Sequence, residues 1–246
     1  MFPSLRIGPF LLQLPGLALL AGLWFGIILT EKESLRLNLD ATRVINSVFY
    51  GLIAGIVAAR LAYVVQYPKV YLANPLSALS LNTNTLSPNI GLLAGLSVLY
   101  LYGYRKRLPF RPTLDALATG LALFMITLGV AHILSGNAYG APTRLPWAIY
   151  LWSDYRHPSQ IYETVAALGI LLVTLRRPLG SPGAGLNFLL VVALSAAARI
   201  FLEAFRGDSL IWTGGFRAAQ VVGLAILVAT VVLIKKWGEA EEVITS

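Results

Sequence analysis

Seven long apolar runs divide the chain: Phe10–Thr30, Val44–Val65, Ile90–Tyr104, Leu114–Leu134, Ser159–Leu175, Ala184–Phe205 and Phe216–Ile234. A helix needs about twenty such residues to cross the hydrocarbon core of a bilayer. Each run therefore predicts a transmembrane helix, the third and fifth being short enough to draw on their flanks. The predicted fold is all-α, a single membrane-embedded domain over 1–246 with no internal repeat. The first run is longer than the ~7–15-residue core of a signal peptide. It ends in Glu31-Lys32-Glu33 and reads as a retained first helix. The stretch Tyr71–Leu86, with Asn82, Asn84 and several serines, is too polar to span and reads as an interfacial helix or a loop lying on the membrane. Pro178 to Gly185 is a turn-rich connector.

Composition agrees with the pattern. Hydrophobic residues make up 57% of the chain and charged residues 12%, against about 25% charged in a soluble domain. The chain has no cysteine, so any thiol chemistry must come from a substrate. The net charge of +8 does not point to nucleic acid, because the cations lie in short clusters between apolar runs, where topology and anionic headgroups place them. One side of the bundle holds eleven of the nineteen Lys and Arg: Lys32, Arg36, Arg43, Arg105, Lys106, Arg107, Arg111, Arg176, Arg177, Lys235 and Lys236. The other holds Arg6, Lys69, Arg144, Arg156, Arg206 and Arg217, with Arg60 and Arg199 inside runs. The richer side is expected to be cytoplasmic, which puts the N-terminus outside and the C-terminus inside.

Polar chemistry concentrates in Arg156-His157-Pro158-Ser159-Gln160-Ile161-Tyr162-Glu163, which opens the fifth run on the expected outer face. Pro158 suits the first turn of a helix, where its missing N–H has no partner to lose. Gln160 and Glu163 would then share a helix face, with Tyr162 to one side. Other charges also stand where a bilayer makes them costly and functional by default: Arg60, His132, and Arg199 with Glu203 and Arg206 at spacings of four and three. Arg60, Arg156 and Arg199 would together suit a lipid phosphate, which guanidinium forks grip in a bidentate way. Structural readings stand beside these. Arg199–Glu203 can also be read as an ion pair within one helix, Arg206 as snorkelling to the headgroups, His132 as a satisfied interfacial imidazole, and His157 as an interfacial hydrogen-bonder. Two histidines without cysteine make a metal site unexpected, and no cofactor is implied. No glycine-rich loop follows a strand to cradle a nucleotide, and no paired broken helices suggest a transporter.

On these residues the chain resembles the prolipoprotein diacylglyceryl transferases. His157-Pro-Ser-Gln-Ile-Tyr-Glu163 is similar to the family signature, and Ala59-Arg60-Leu-Ala-Tyr63 to its second-helix segment. Gly136, Tyr139-Gly140, Pro142-Thr143 and Leu145-Pro-Trp147 resemble its Asn-Gly-Glu-x-Trp-Gly-x-Pro-Thr loop. Arg199, Glu203 and Arg206 match its Arg-x-x-x-Glu-x-x-Arg pattern, and Gln220 its last-helix glutamine. The resemblance implies a multi-pass protein of the bacterial inner membrane that takes phosphatidylglycerol, or another anionic phospholipid, and a prolipoprotein. The lipobox thiol attacks a glyceryl carbon, a thioether forms and glycerol phosphate leaves. On that reading His132, Glu163 and Glu203 are the catalytic candidates. Arg60, Tyr63, Arg156, His157, Gln160, Tyr162, Arg199 and Arg206 are the substrate-binding candidates.

The chain departs from the family pattern at Pro15 for a tyrosine, Asn89 for a histidine, Gly129 for an arginine, His132 for an asparagine and Asn137 for a glutamate. Two implications stay open. One is a divergent transferase in which His132 supplies the base. The other is a non-catalytic homologue that binds phospholipid or lipoprotein, or a transferase for another substrate.

Overall fold

A computed structural model of the protein describes residues 4–7, 10–79, 85–177 and 179–245. Asn82, Asn84 and Pro178 lie outside the described residues. All seven apolar runs form helices, and the chain divides into two compact units, 1–37 with 111–246, and 38–110.

The first unit contains strands β1 (Ser4–Ile7) and β2 (Phe10–Gln13), paired antiparallel, then helix α1 (Leu14–Arg36). The start of the first run is therefore strand, not helix. Pro15, in the first turn of α1, lacks a backbone N–H and so marks where the helix can begin. Helix α5 (Phe110–Ser135) leads into a polar connection carrying a short hairpin, β3 (Ile149–Leu151) and β4 (Asp154–Arg156), and then α6 (Ser159–Arg176). Helix α7 (Leu186–Leu202) ends in a 3-10 turn, Glu203–Phe205, and α8 (Ala218–Thr245) closes the unit.

Helices in lipid gain little from burying apolar area against each other, so small residues that permit close approach decide which faces meet. In α1 and α5 these are Gly26 and Gly120: a Cβ on Gly120 would stand 2.6 Å from the Gly26 carbonyl oxygen. In α5 and α6 the contact is Gly129 on the Thr164 side chain. Ala118, Ala122, Ile170, Leu171 and Val191 form the buried centre. Two buried carboxylates at the far end tie the helices. Asp115 of α5 accepts from the backbone N–H groups of Gly185 (2.9 Å) and Phe188 (3.0 Å), capping α7 from another helix. Glu33 of α1 pairs with Arg36 and with Arg177 at the end of α6.

The second unit contains α2 (Ala41–Gln66), α3 (Pro68–Ala73), a 3-10 turn at Pro75–Leu79, and α4 (Pro88–Arg105). Asp40 caps α2, accepting from the Arg43 backbone N–H. Helices α2 and α4 pack through reciprocal glycines four apart: a Cβ on Gly55 would lie 2.9 Å from the Gly91 oxygen, and one on Gly95 2.9 Å from the Gly51 oxygen. The described part of Tyr71–Leu86 is helical turn rather than span. Leu72 and Leu76 are exposed there, whereas Tyr71 is buried under the Arg60 guanidinium.

Among the described residues, five helices are long and apolar enough to cross a membrane: α1, α2, α5, α7 with its following turn, and α8. Helices α4 and α6 are 18 residues each and more polar. The cause in α6 is the motif itself, which spends its first turns on Gln160, Tyr162, Glu163 and Thr164. The protein is a mostly helical, multi-pass membrane protein.

Candidate active site

The site lies where the C-terminal end of α5, the N-terminal end of α6 and the C-terminal end of α7 meet in the first unit. A polar scaffold holds these ends. Gly140 bridges Arg206 as an isolated antiparallel pair, with Ala141 N–H donating to the Phe205 oxygen (2.8 Å) and Gly207 N–H to the Tyr139 oxygen (2.9 Å). The crossing requires glycine on both strands. A Cβ on Gly140 would collide with the His157 backbone, and one on Gly207 would stand 2.6 Å from the Gly140 oxygen.

Most of the 156–163 motif serves this scaffold. Ser159 donates from its hydroxyl to the Ala138 oxygen (2.6 Å) and the Gln160 amide to the Asn137 oxygen (3.0 Å), both side chains being fully buried. Arg156 donates through Nε to Leu151 O and through Nη1 to Gly140 O, with its guanidinium over the Tyr139 ring. It therefore organises the connection rather than joining Arg199 at a phosphate. The Tyr162 hydroxyl accepts from Trp147 Nε1 (2.8 Å), and its ring packs edge-on with His157 and Phe205. Pro158 is the residue preceding α6 rather than its first residue. Arg60 and Tyr63 belong to the second unit. Arg60 donates there to the Ser77 oxygen (2.7 Å) and the Thr85 oxygen (2.9 Å), and Tyr63 packs on Tyr67.

Glu163 is the motif residue that reaches the ion cluster and the cavity. Its Oε1 accepts from Arg206 Nη1 (2.7 Å) and Arg199 Nη1 (3.1 Å). Its Oε2 faces His132 Nδ1 at 3.7 Å, longer than a hydrogen bond but within ion-pair range. Glu203, 1% exposed, pairs through Oε2 with Arg199 Nη2 (2.9 Å) and lies 3.9 Å from Arg206 Nε. The spacing of four and three on α7 and its 3-10 turn puts all three side chains on one face. Arg206 does not snorkel. Asp208 takes its Nε (2.9 Å) and Nη2 (2.7 Å) in a two-pronged pair while Glu163 holds Nη1. Burial disfavours the Arg206 charge, but Asp208 and then Glu163 outweigh it and push its pKa up, so the guanidinium is a fixed cation.

Two participants give no signal in the spacing of the chain. Arg217 donates through Nη1 to the carbonyl oxygens of Glu203 and Arg206 (2.5 and 2.9 Å), which the end of α7 would leave unpaired, and to the Ser209 hydroxyl (2.7 Å). Asp208 follows the Arg-x-x-x-Glu-x-x-Arg pattern at a position that pattern does not include.

Beside the ion cluster lies a cavity of about 180 Å³. Its walls are turns of three helices: Met125, Leu128, Gly129 and His132 on α5, Glu163, Ala166, Ala167 and Ile170 on α6, and Ser195, Ala198, Arg199 and Leu202 on α7. His132, Glu163 and Arg199 stand at one end, and the remainder is almost wholly apolar. That arrangement suits an amphiphile, with a polar group at the cluster and a hydrocarbon chain along the helices. Gly129 closes on Thr164 so tightly that a larger side chain there would displace Thr164.

Paired guanidinium and carboxylate groups at one end of an apolar cavity, in a helical multi-pass membrane protein, suit a lipid. Comparison with known proteins gives the family. The profile of the prolipoprotein diacylglyceryl transferases matches residues 4–235, and the chain belongs to that family. It is similar to the phosphatidylglycerol–prolipoprotein diacylglyceryl transferase of Clostridioides difficile (strain 630), 28% identical over 85% of this chain and 84% of that protein. It is also similar to proteins of the same name from Synechococcus elongatus, 28% identical over 90% of this chain and 82% of that protein, and Bordetella parapertussis, 31% identical over 70% and 68%.

Proposed function

We propose that the protein transfers the diacylglyceryl group of phosphatidylglycerol to the lipobox cysteine of a prolipoprotein. The observation that carries this reading is the meeting of His132, Glu163 and Arg199 at the polar end of an apolar cavity, with Arg206 and Glu203 directly behind them. The cysteine thiol gives its proton to the Glu163–His132 pair. Its sulfur forms a bond to the terminal glyceryl carbon of the diacylglycerol unit, and the bond from that carbon to the phosphate oxygen breaks. Glycerol phosphate leaves with the electron pair, stabilised by Arg199 and Arg206. Glu203 is too enclosed to meet a substrate and acts as a positioning residue for the two guanidiniums. His157, Gln160, Tyr162 and Arg156 shape the mouth.

The reading extends to the whole chain, as one functional domain with seven spans, N-terminus outside and C-terminus cytoplasmic, in the inner membrane of a bacterium. The seven helices, the bias of Lys and Arg and a family match that runs through both compact units support it. The test is complementation of a strain depleted of its own transferase, scored by lipidation of a lipobox substrate. The expected result is thioether-linked product. No product from inserted, folded protein would leave the second reading, a homologue that binds phospholipid or lipoprotein without chemistry. The neutralisation of Arg199 and Arg206 by carboxylates favours that alternative.

A further inference from the structure

Two guanidiniums proposed to hold a phosphate are already paired with carboxylates. Arg199 and Arg206 face three carboxylates, Glu163, Glu203 and Asp208. With Arg217 donating to the same segment, the cluster balances at zero, so adding a phosphodiester monoanion leaves an unpaired negative charge unless a carboxylate withdraws. The three carboxylates differ in what their departure breaks. Glu163 holds both arginines and faces His132, and Glu203 is sealed at 1% exposure. The Asp208 side chain is 27% exposed, and among the described residues its carboxylate pairs with Arg206 alone.

The geometry of that pair is the second observation. Asp208 presents two oxygens to Nε and Nη2 of Arg206 at 2.9 and 2.7 Å. This is the fork that a phosphate uses, since both anions offer two acceptors in the plane of a guanidinium. We propose that Asp208 is an internal stand-in for the phosphate: it holds the Arg206 fork until an anionic headgroup takes it, and so sets the site's preference for headgroup charge. The proposal rests on the reading of Arg206 as a headgroup-binding residue. Before Asp208 the Gly207 N–H is held by the Tyr139 oxygen and the Arg206 oxygen by Arg217, which also donates to the Ser209 hydroxyl after it. The exchange is therefore a rotation of one side chain beside a fixed stretch of backbone.

The experiment titrates dioctanoyl phosphatidylglycerol, dioctanoylglycerol and glycerol 1-phosphate separately into the detergent-solubilised full chain, comparing wild type with Asp208→Asn and Asp208→Glu. Thermal unfolding of each variant verifies that it is folded. Asp208→Asn is expected to bind the phosphatidylglycerol about tenfold more tightly, the value of one charge-assisted pair discounted for an exposed carboxylate. Dioctanoylglycerol should be unaffected and Asp208→Glu should behave as wild type. Tightening shared with glycerol 1-phosphate assigns the fork to phosphate in general, and tightening confined to the lipid assigns it to a headgroup held by its chains. Either supports the exchange. If Asp208→Asn binds phosphatidylglycerol equally or more weakly while wild type still prefers it to dioctanoylglycerol, Asp208 only positions Arg206 and the proposal is overturned alone. If neither protein discriminates the two lipids, the headgroup reading of the arginines fails and the proposal goes with it.

Discussion

Replacing Glu163 by glutamine separates the two duties assigned to this residue. The substitution keeps the shape and keeps a carbonyl oxygen facing Arg199 and Arg206, but removes the charge that both share through Oε1 at 3.1 and 2.7 Å. Hydrogen bonds to ionised partners are worth about 1.5–3 kcal/mol each, roughly twice their neutral counterparts. Losing about half of each of two bonds then costs the fold about 1.5–3 kcal/mol. Headgroup binding should move the other way, because the arginines carry less compensated charge once the carboxylate is gone. Phosphatidylglycerol affinity should hold or rise. Transfer should collapse by at least about 100-fold, the lower range of what a positioned general base contributes. The assay is single-turnover lipidation of a lipobox peptide in phosphatidylglycerol nanodiscs, with lipid affinity measured on the same preparation. A Glu163→Gln protein that binds lipid and transfers within tenfold of wild type would refute the proposed role of Glu163 as base. A protein in which rate and affinity fall together would show an anchor and nothing more.

His132→Ala should lower the transfer rate at least tenfold while leaving lipid affinity within about twofold, read in the same assay; an unchanged rate removes His132 from the mechanism. Asp115→Ala removes the carboxylate that caps α7 at 2.9 and 3.0 Å from inside the protein, and should cost about 1–3 kcal/mol in reversible unfolding in mild detergent. A loss below about 0.5 kcal/mol, the value of one weak cap, would mean that the helix end finds other partners. Gly55→Leu should destabilise the second unit by about 1–3 kcal/mol by forcing α2 from α4, where a Cβ already stands 2.9 Å from a carbonyl oxygen. An unchanged melting profile would show that the glycine contact is dispensable.

The apolar periodicity of the chain is strong enough to locate all seven long helices, because a bilayer leaves few alternatives to a satisfied helical backbone. What periodicity does not carry is where an apolar segment declines to be helical. Phe10–Gln13 opens the first apolar run yet pairs as a strand with Ser4–Ile7. The glycines that match helix to helix were equally hidden. Gly51 with Gly55 and Gly91 with Gly95 are visible as spacings, but nothing within either segment says that they face each other.

The site divides along the same physical line. Residues coupled by sequence spacing were legible: Arg199, Glu203 and Arg206 share a face because a helix makes them do so, and the structure finds the pairs that spacing predicts. Residues coupled through the chain's return were not. Arg217 lies eleven positions after Arg206, across a loop, and serves carbonyls that have no sequence signature. Arg156 and Gln160 carried the same apparent promise as Glu163, being polar neighbours at one membrane surface, yet backbone carbonyls of the 136–151 connection claim the bonds of the first two. A buried backbone oxygen needs a donor wherever the chain is irregular, and an irregular connection at the top of a helical bundle must recruit polar side chains from the helix ends beside it. A polar motif at such a place therefore divides its residues between holding the loop and meeting the substrate. The division follows depth along α6: positions in its first turn meet the connection, and Glu163, one turn further in, is the first to look past it into the cavity.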